Sequence, residues 1–471
     1  MAREPTPYRT ARHLVELPPP RAHHDNPAPV TQAPVPLSPR RILALWWPLA
    51  ASWLLMGTEL PLFTACVARM ADPEVHLAAY GSLVFPLALV IEAPIMMFLA
   101  AATALAADLD SWRKIRRAMH AAGAFLTALH VAIAFTPLFD WVARTVFTVP
   151  DEVVEPARLG LRVMTPWTWA IAYRRAHQGV LIRFQATRPV IVGSGLRLVA
   201  NAAVYTAAFA LEARKLAIPG ILAGTASVAA GVTTEALFIG WCTRRVLQDH
   251  GVPARPAGAP LTRAAFLAFY VPLALTPLIA LITQPLGAAA MARMELPLAS
   301  LAVWPAVHGL LFLLRSGGFA YNEVVISLLD TPDAVRALRR FGVGLGAVTS
   351  ALLLLVATTP LSQLWFGTIS GLSAPLAALA SGAVLCALPW PAAQAVQSWL
   401  QGSLVHARRT RQVTEGMVVF CTVTATLLFA AVRFSPWTGV RSAVLALVLG
   451  SLVQTSWLAL RVRRAVPPRA A

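Results

Sequence analysis

The sequence predicts an all-α polytopic membrane protein: twelve transmembrane helices as two parallel six-helix lobes, with N- and C-termini cytoplasmic. Three observations predict it. Apolar runs of about 20 residues recur along the chain, each long enough to cross a bilayer core of about 30 Å. Of the 471 residues, 57% are hydrophobic and 13% charged, against about 25% charged in a soluble protein. The apolar pattern is also written twice. WWPLAASWLLMGTELPLFTACVARM (46–70) returns as YVPLALTPLIALITQPLGAAAMARM (270–294), 224 positions on.

Taken in order, the first six spans are expected at 42–68, 77–106, 118–138, 157–182, 189–211 and 217–243. The second six are expected at 266–292, 298–328, 341–361, 376–405, 413–432 and 439–460. Prolines inside them (Pro48, Pro61, Pro86, Pro94, Pro272, Pro285) are compatible with spanning where neighbouring helices repair the broken ladder. Residues 1–40 form a Pro-rich tail without apolar period, expected to be disordered. It has no h-region, so it does not read as a cleavable signal. The N-lobe is then 41–245, a Pro/Gly-rich hinge 246–262, the C-lobe 263–462 and a basic tail 463–471.

The net charge of +18 raises nucleic acid as a partner, but its distribution excludes it. With the N-terminus inside, inner segments and tails hold 26 of the 39 Lys and Arg residues, outer segments eight. That bias sets orientation and an even number of crossings. Cys66, Cys242, Cys386 and Cys421 lie in or beside apolar runs without CxxC spacing, and read as packing residues. No metal site, cofactor or enzyme motif is expected: there is no Walker loop, HExxH or nucleophile elbow.

The repeat extends well past its opening pair. From 46–80 against 270–304, 13 of 35 positions are identical; the frame then shifts to 223. From 110–138 against 333–361, 12 of 29 match, and from 166–193 against 389–416, 11 of 28. Pro, Arg, Gly, Gln and Trp all hold their places. Six spans per half is an even number, so both halves insert with one polarity. Duplicated bundles of this kind characterise secondary transporters, whose site lies between the halves near mid-membrane.

HQGVLIRFQATRPVIVGSGLRLVAN (177–201) resembles the passage from fourth to fifth helix in the multidrug/oligosaccharidyl-lipid/polysaccharide superfamily, the MATE-like transporters. IPGILAGTASVAAG (218–231) resembles the opening of its sixth helix, and no facilitator-type GxxxDRxGRR loop follows the second span. Within the group, LAAYG (77–81), PLALT (272–276) and AHQGVLIRFQATRPVIVG (176–193) are most similar to the progressive ankylosis family. The narrower resemblance implies export of small organic or phosphorylated anions of the citrate, nucleotide and pyrophosphate class. The multidrug branch implies cation- or proton-coupled drug efflux.

A charge at a helix centre costs about 2.5–3.5 kcal/mol on insertion scales, so each one needs a reason. Glu59, beside Pro61 in the first span, reads as a proton or cation site, resembling the first-helix acid of multidrug extruders, or as a carboxylate bonded to neighbouring helices. Glu92 and Arg315 are 223 apart, at matching places in the two halves. They are expected to face each other across a central cavity, either as a gate that parts for substrate or as a permanent lock. Arg174, Arg175 and His177 in the fourth span, with Arg197 and Asn201 at i and i+4 in the fifth, form either snorkelling cations or a positive vestibule for anions. Gln394 and Gln397 would add neutral hydrogen bonds to substrate or to a neighbouring helix, Asn322 is a further substrate contact, and Glu235 is a further ion-coupling acid. His130, His308 and Glu323 are lesser candidates.

The leading expectation is a monomeric secondary transporter of the plasma (inner) membrane of a bacterium, alternating access between its lobes. It would export small anions with H+ or Na+ as coupling ion, its partners being an anionic small molecule and the lipid bilayer. The alternatives are a multidrug extruder or a lipid-linked oligosaccharide flippase. Outside that class stands a non-transporting membrane scaffold, with no central cavity and Arg315 fully paired.

Overall fold

The computed structural model describes residues 37–147, 151–249, 252–255, 259–331 and 333–465. Most of the expected N-terminal tail, part of the hinge and most of the basic C-terminal tail lie outside the described residues. Nearly every described residue is helical, and the isolated bridge Glu295–Thr438 is the β feature among them.

Twelve spans follow one another. In the first half they are Pro39–Val67, Phe85–Leu105, Leu109–Phe135, a fourth made of Asp151–Val163 and Thr165–Arg183, then Arg188–Ala213 and Gly220–Asp249. In the second half they are Arg263–Met291, Pro297–Leu328, Ala334–Thr358, a tenth made of Ala374–Leu385 and Trp390–His406, then Thr410–Phe434 and Gly439–Ala465. Length and apolarity alone pick out ten, and an eleventh if the tenth span, bent by 44°, counts as one. The fourth span fails that test because of its charges. Its residues from Arg174 to Ile182 are all buried, so protein rather than lipid surrounds its polar groups.

Proline chemistry explains why the halves break alike. Pro61 has no N–H to offer the Gly57 carbonyl, and the first span breaks at Thr58. Pro285 stands 224 positions later, and the seventh span breaks at Ile282. Asp72 (φ 48°) and Leu296 (φ 51°) are both left-handed, each before a proline. Thr136 (φ −118°, ψ 170°) and Thr359 (φ −117°, ψ 171°) end the third and ninth spans, again before prolines. The repeat is thus inscribed in backbone irregularities as well as in letters.

The bounds of three helices differ from expectation in ways that matter. The basic RxxRR stretches at 113–117 and 336–340 lie inside the third and ninth helices, not in loops. Asp108 caps the third, accepting from the Ser111 N–H at 2.8 Å, and Lys114 pairs with Asp110 one turn on at 2.8 Å. The sixth helix likewise runs on to Asp249, into the expected hinge.

The lobes meet on the half of the bundle that carries the basic loops. One apolar cluster there joins Ile42 and Leu45 of the first span and Leu181 of the fourth to Val324 and Leu328 of the eighth and Leu338 of the ninth. Trp46 Nε1 donates to the Gly317 carbonyl at 2.8 Å, with its ring on Phe341 at 5.6 Å. Tyr270 donates its hydroxyl to the Pro94 carbonyl at 2.6 Å and packs on Phe98 at 4.5 Å. Towards the opposite face the second lobe keeps a core of its own around Val303, Phe366, Val384 and Val444.

Candidate functional site

Glu59, Glu92, Glu235 and Glu323 lie within the spans together with Arg174, Arg175, Arg197 and Arg315, and the first lobe gathers most of them. Glu235 of the sixth span is fully buried and saturated. Arg174 donates to it at 2.7 Å, Gln178 at 3.2 Å and Ser194 at 3.3 Å, while an Arg197 guanidinium nitrogen stands 3.5 Å away. Arg197 turns its other nitrogens on Glu59 as a fork: Nε donates to Oε1 at 2.9 Å, and Nη2 pairs with Oε2. Asn201, one turn along, donates to the same Oε1 at 3.0 Å. Glu59–Arg197–Glu235–Arg174 is therefore a continuous chain of alternating charge through the first, fifth, sixth and fourth spans. Gly231 makes room for it, since a Cβ there would overlap the Asn201 amide oxygen and sit 3.0 Å from Arg197 Cγ.

Arg175 turns the other way. Its guanidinium lies 5.5 Å from the Trp53 ring and in the field of Glu92, Glu235 and Glu323. Its Nε and Nη2, Glu92 Oε2 and Glu323 Oε2 are all buried without a hydrogen-bond partner among the described residues. Glu323 belongs to the eighth span and lies beside Thr103 of the second and in the field of Arg175, so this polar cluster crosses between lobes.

The second lobe is chemically different. In the 223 frame, Arg174 becomes Gln397, Arg197 becomes Phe420 and Glu235 becomes Leu458, so the charged chain has no counterpart there. What remains beside Glu323 is Arg315. It donates to Gln394 Oε1 at 2.6 Å, stacks over Trp390 at 4.0 Å and lies 5.4 Å from Phe319. Its Nε has no hydrogen-bond partner, and no carboxylate pairs with it among the described residues. Gln394 donates onward to Ser398 Oγ at 3.2 Å, and Asn322 donates to the Ser398 carbonyl at 3.2 Å. Gln397 is buried three residues along the same helix.

The expected Glu92–Arg315 pair is not made. Equivalent places in two copies need not oppose each other, and each group has partners inside its own lobe: Glu92 the field of Arg174 and Arg175, Arg315 its amide and rings. The expected positive vestibule is also largely neutralised, because Arg174 and Arg197 are held by carboxylates. His130 is a packing residue whose two ring nitrogens bond Thr168 Oγ1 at 2.9 Å and the Leu161 carbonyl at 2.8 Å. Sequence reasoning passed over Thr103, Gln178, Ser194, Trp390 and Ser398. Gln178 and Trp390 carried a signal, as parts of the repeated QG and PW.

No family model and no curated protein matches the chain. Solved structures do. A multidrug resistance MATE family transporter of the MOP superfamily, in an outward-facing conformation, aligns with TM-score 0.68 at 15% identity over 91% of this chain and 96% of its own. The fold is that of the MATE transporters. A Vibrio cholerae MATE transporter variant aligns at TM-score 0.70 and 14% identity, covering 91% of this chain and 97% of that one. A MOP superfamily transporter from Pyrococcus furiosus, whose reverse-polarity binding pocket suggests a different function for it, aligns at 0.66 and 16%, covering 91% and 96%. In this structure the saturated charge chain lies in one six-helix lobe, and Arg315, without a carboxylate partner among the described residues, lies in the other.

Proposed function

We propose that this chain is a secondary transporter that alternates access between its two lobes and moves a small organic or phosphorylated anion, the anionic group resting on Arg315. The observation that carries this reading is an intramembrane guanidinium without an acid partner among the described residues, framed by Gln394 and Trp390. A cation in that setting is costly unless a ligand completes it, and a guanidinium fork matches carboxylate and phosphate. The Pyrococcus furiosus neighbour, with its reverse-polarity pocket, supports judging a MATE fold by its own pocket charge. The resemblance of short motifs at 77–81, 272–276 and 176–193 to the progressive ankylosis family implies the same substrate class.

Uptake into proteoliposomes of citrate, nucleotide and pyrophosphate, set beside a cationic dye, tests the proposal. Anion flux without dye flux is expected. Dye flux without anion flux would establish the second reading, multidrug extrusion, which the structural neighbours favour.

Glu92 is the acid best placed to carry a coupling proton, because Oε2 is buried without a hydrogen-bond partner beside the field of Arg175. Glu59 and Glu235 are committed to arginines. Glu92→Gln is expected to leave downhill anion movement intact while removing its response to an imposed pH gradient. A response equal to wild type would remove Glu92 from the coupling step. The membrane is read as a bacterial plasma membrane from the Ala-, Arg- and Leu-rich usage.

A further inference from the structure

The cytoplasmic end of the second lobe holds a pocket whose lining includes none of the residues assigned above to substrate or coupling ion. Its volume is about 360 Å³, and its lining includes Arg408, Arg409, Arg411 and Glu415 at the start of the eleventh span, Arg461 on the twelfth and Ala268 on the seventh. Four guanidinium groups face one carboxylate. Glu415 engages Arg461 at 2.9 Å and Arg411 at 3.4 Å, and Arg408 and Arg409 have no ion-pair partner among the described residues. Arg461 is propped over the Trp457 ring at 4.5 Å, with its Nε buried and unbonded, and Gln412 Oε1 in the same lining is likewise unbonded.

The positive-inside bias does not require this arrangement. In the first lobe the positions 223 earlier than Arg408, Arg409, Glu415 and Arg461 are Gln185, Ala186, Val192 and Phe238, and only Arg411 has a basic counterpart, Arg188. The pocket is also rigidly framed. Arg408 is left-handed (φ 59°), and the Arg409 N–H closes the turn on the Leu404 carbonyl at 2.8 Å. Thr410 donates to the Phe269 carbonyl at 2.6 Å, clamping the eleventh span to the seventh. Leu267 and Val271 of the seventh span and Val418 of the eleventh, close in sequence to the lining residues, are 54%, 48% and 47% exposed. Exposed aliphatic groups on spans beside a basic pocket are what a two-tailed lipid would cover.

We propose that this pocket holds the phosphate of an anionic phospholipid, with its acyl chains along the crevice between the seventh and eleventh spans. Basic pockets between helices at this depth suit such headgroups, each arginine adding about fivefold in affinity. The test is thermal melting of the purified full chain in detergent with added phosphatidylglycerol or phosphatidylcholine, with native mass spectrometry to count retained lipid. Phosphatidylglycerol is expected to raise the melting temperature and stay bound, and phosphatidylcholine to do neither. R408A/R409A should bind roughly thirtyfold more weakly, and R188A, at the first-lobe counterpart, should behave as wild type. Equal shifts with both lipids, or a double variant that responds as wild type, would overturn the proposal. So would millimolar inorganic phosphate reproducing the whole shift, an outcome that assigns the pocket to a soluble anion.

Discussion

Glu235→Leu will destabilise the first lobe by about 3–5 kcal/mol, the cost of stranding a buried charge whose partner has been removed. Arg174 loses the one carboxylate that pairs with it among the described residues, at 2.7 Å, and the hydrogen bonds from Gln178 and Ser194 go with it. The measurement is a melting curve of the purified protein in detergent, together with yield in membranes. The compensating variant is dictated by the second lobe, which has leucine and glutamine at the two matching places, Leu458 and Gln397. E235L/R174Q should recover most of the loss, since Arg197 keeps its fork on Glu59. Melting of the single variant at the wild-type temperature would show that Glu235 is not the anchor of this lobe.

Arg315→Gln will cut anion uptake by about ten- to a hundredfold, since a hydrogen bond to a charged group is worth about 1.5–3 kcal/mol. It should not cost stability, because an unpaired intramembrane cation is itself unfavourable. Arg315→Lys retains the charge but loses the planar fork that meets Gln394 and stacks on Trp390, so it should recover only part of the uptake. Wild-type uptake by R315Q, in vesicles where E92Q behaves as expected above, would take Arg315 out of substrate recognition.

Much of the architecture was legible before the structure. The doubling, the parallel lobes and the span order follow from apolar run length and from one frame of Pro, Gly and Arg identities, because bilayer thickness and backbone satisfaction constrain both. The fourth span shows where hydropathy weakens. Its arginines offend an apolarity test but are buried among other helices, so their cost is met by protein partners. The site was legible in residue type and not in pairing. Arg197 meets Glu59 across a sequence separation of 138, an encounter fixed by which helix faces oppose one another. The repeat frame identified Glu92 and Arg315 as equivalents, and equivalence by rotation is a different relation from contact.

Trp46, Tyr270 and their ring partners have a consequence for the energetics of switching. The hydrogen bonds they make between lobes are neutral, Trp46 to Gly317 and Tyr270 to Pro94, and among the described residues no ion pair bridges the halves. Apart from the buried approach of Arg175 to Glu323, parting the halves on that face therefore wets aromatic surface instead of separating charges. Ionic strength has little purchase on such a step, while its heat-capacity change makes the balance of the two states drift with temperature.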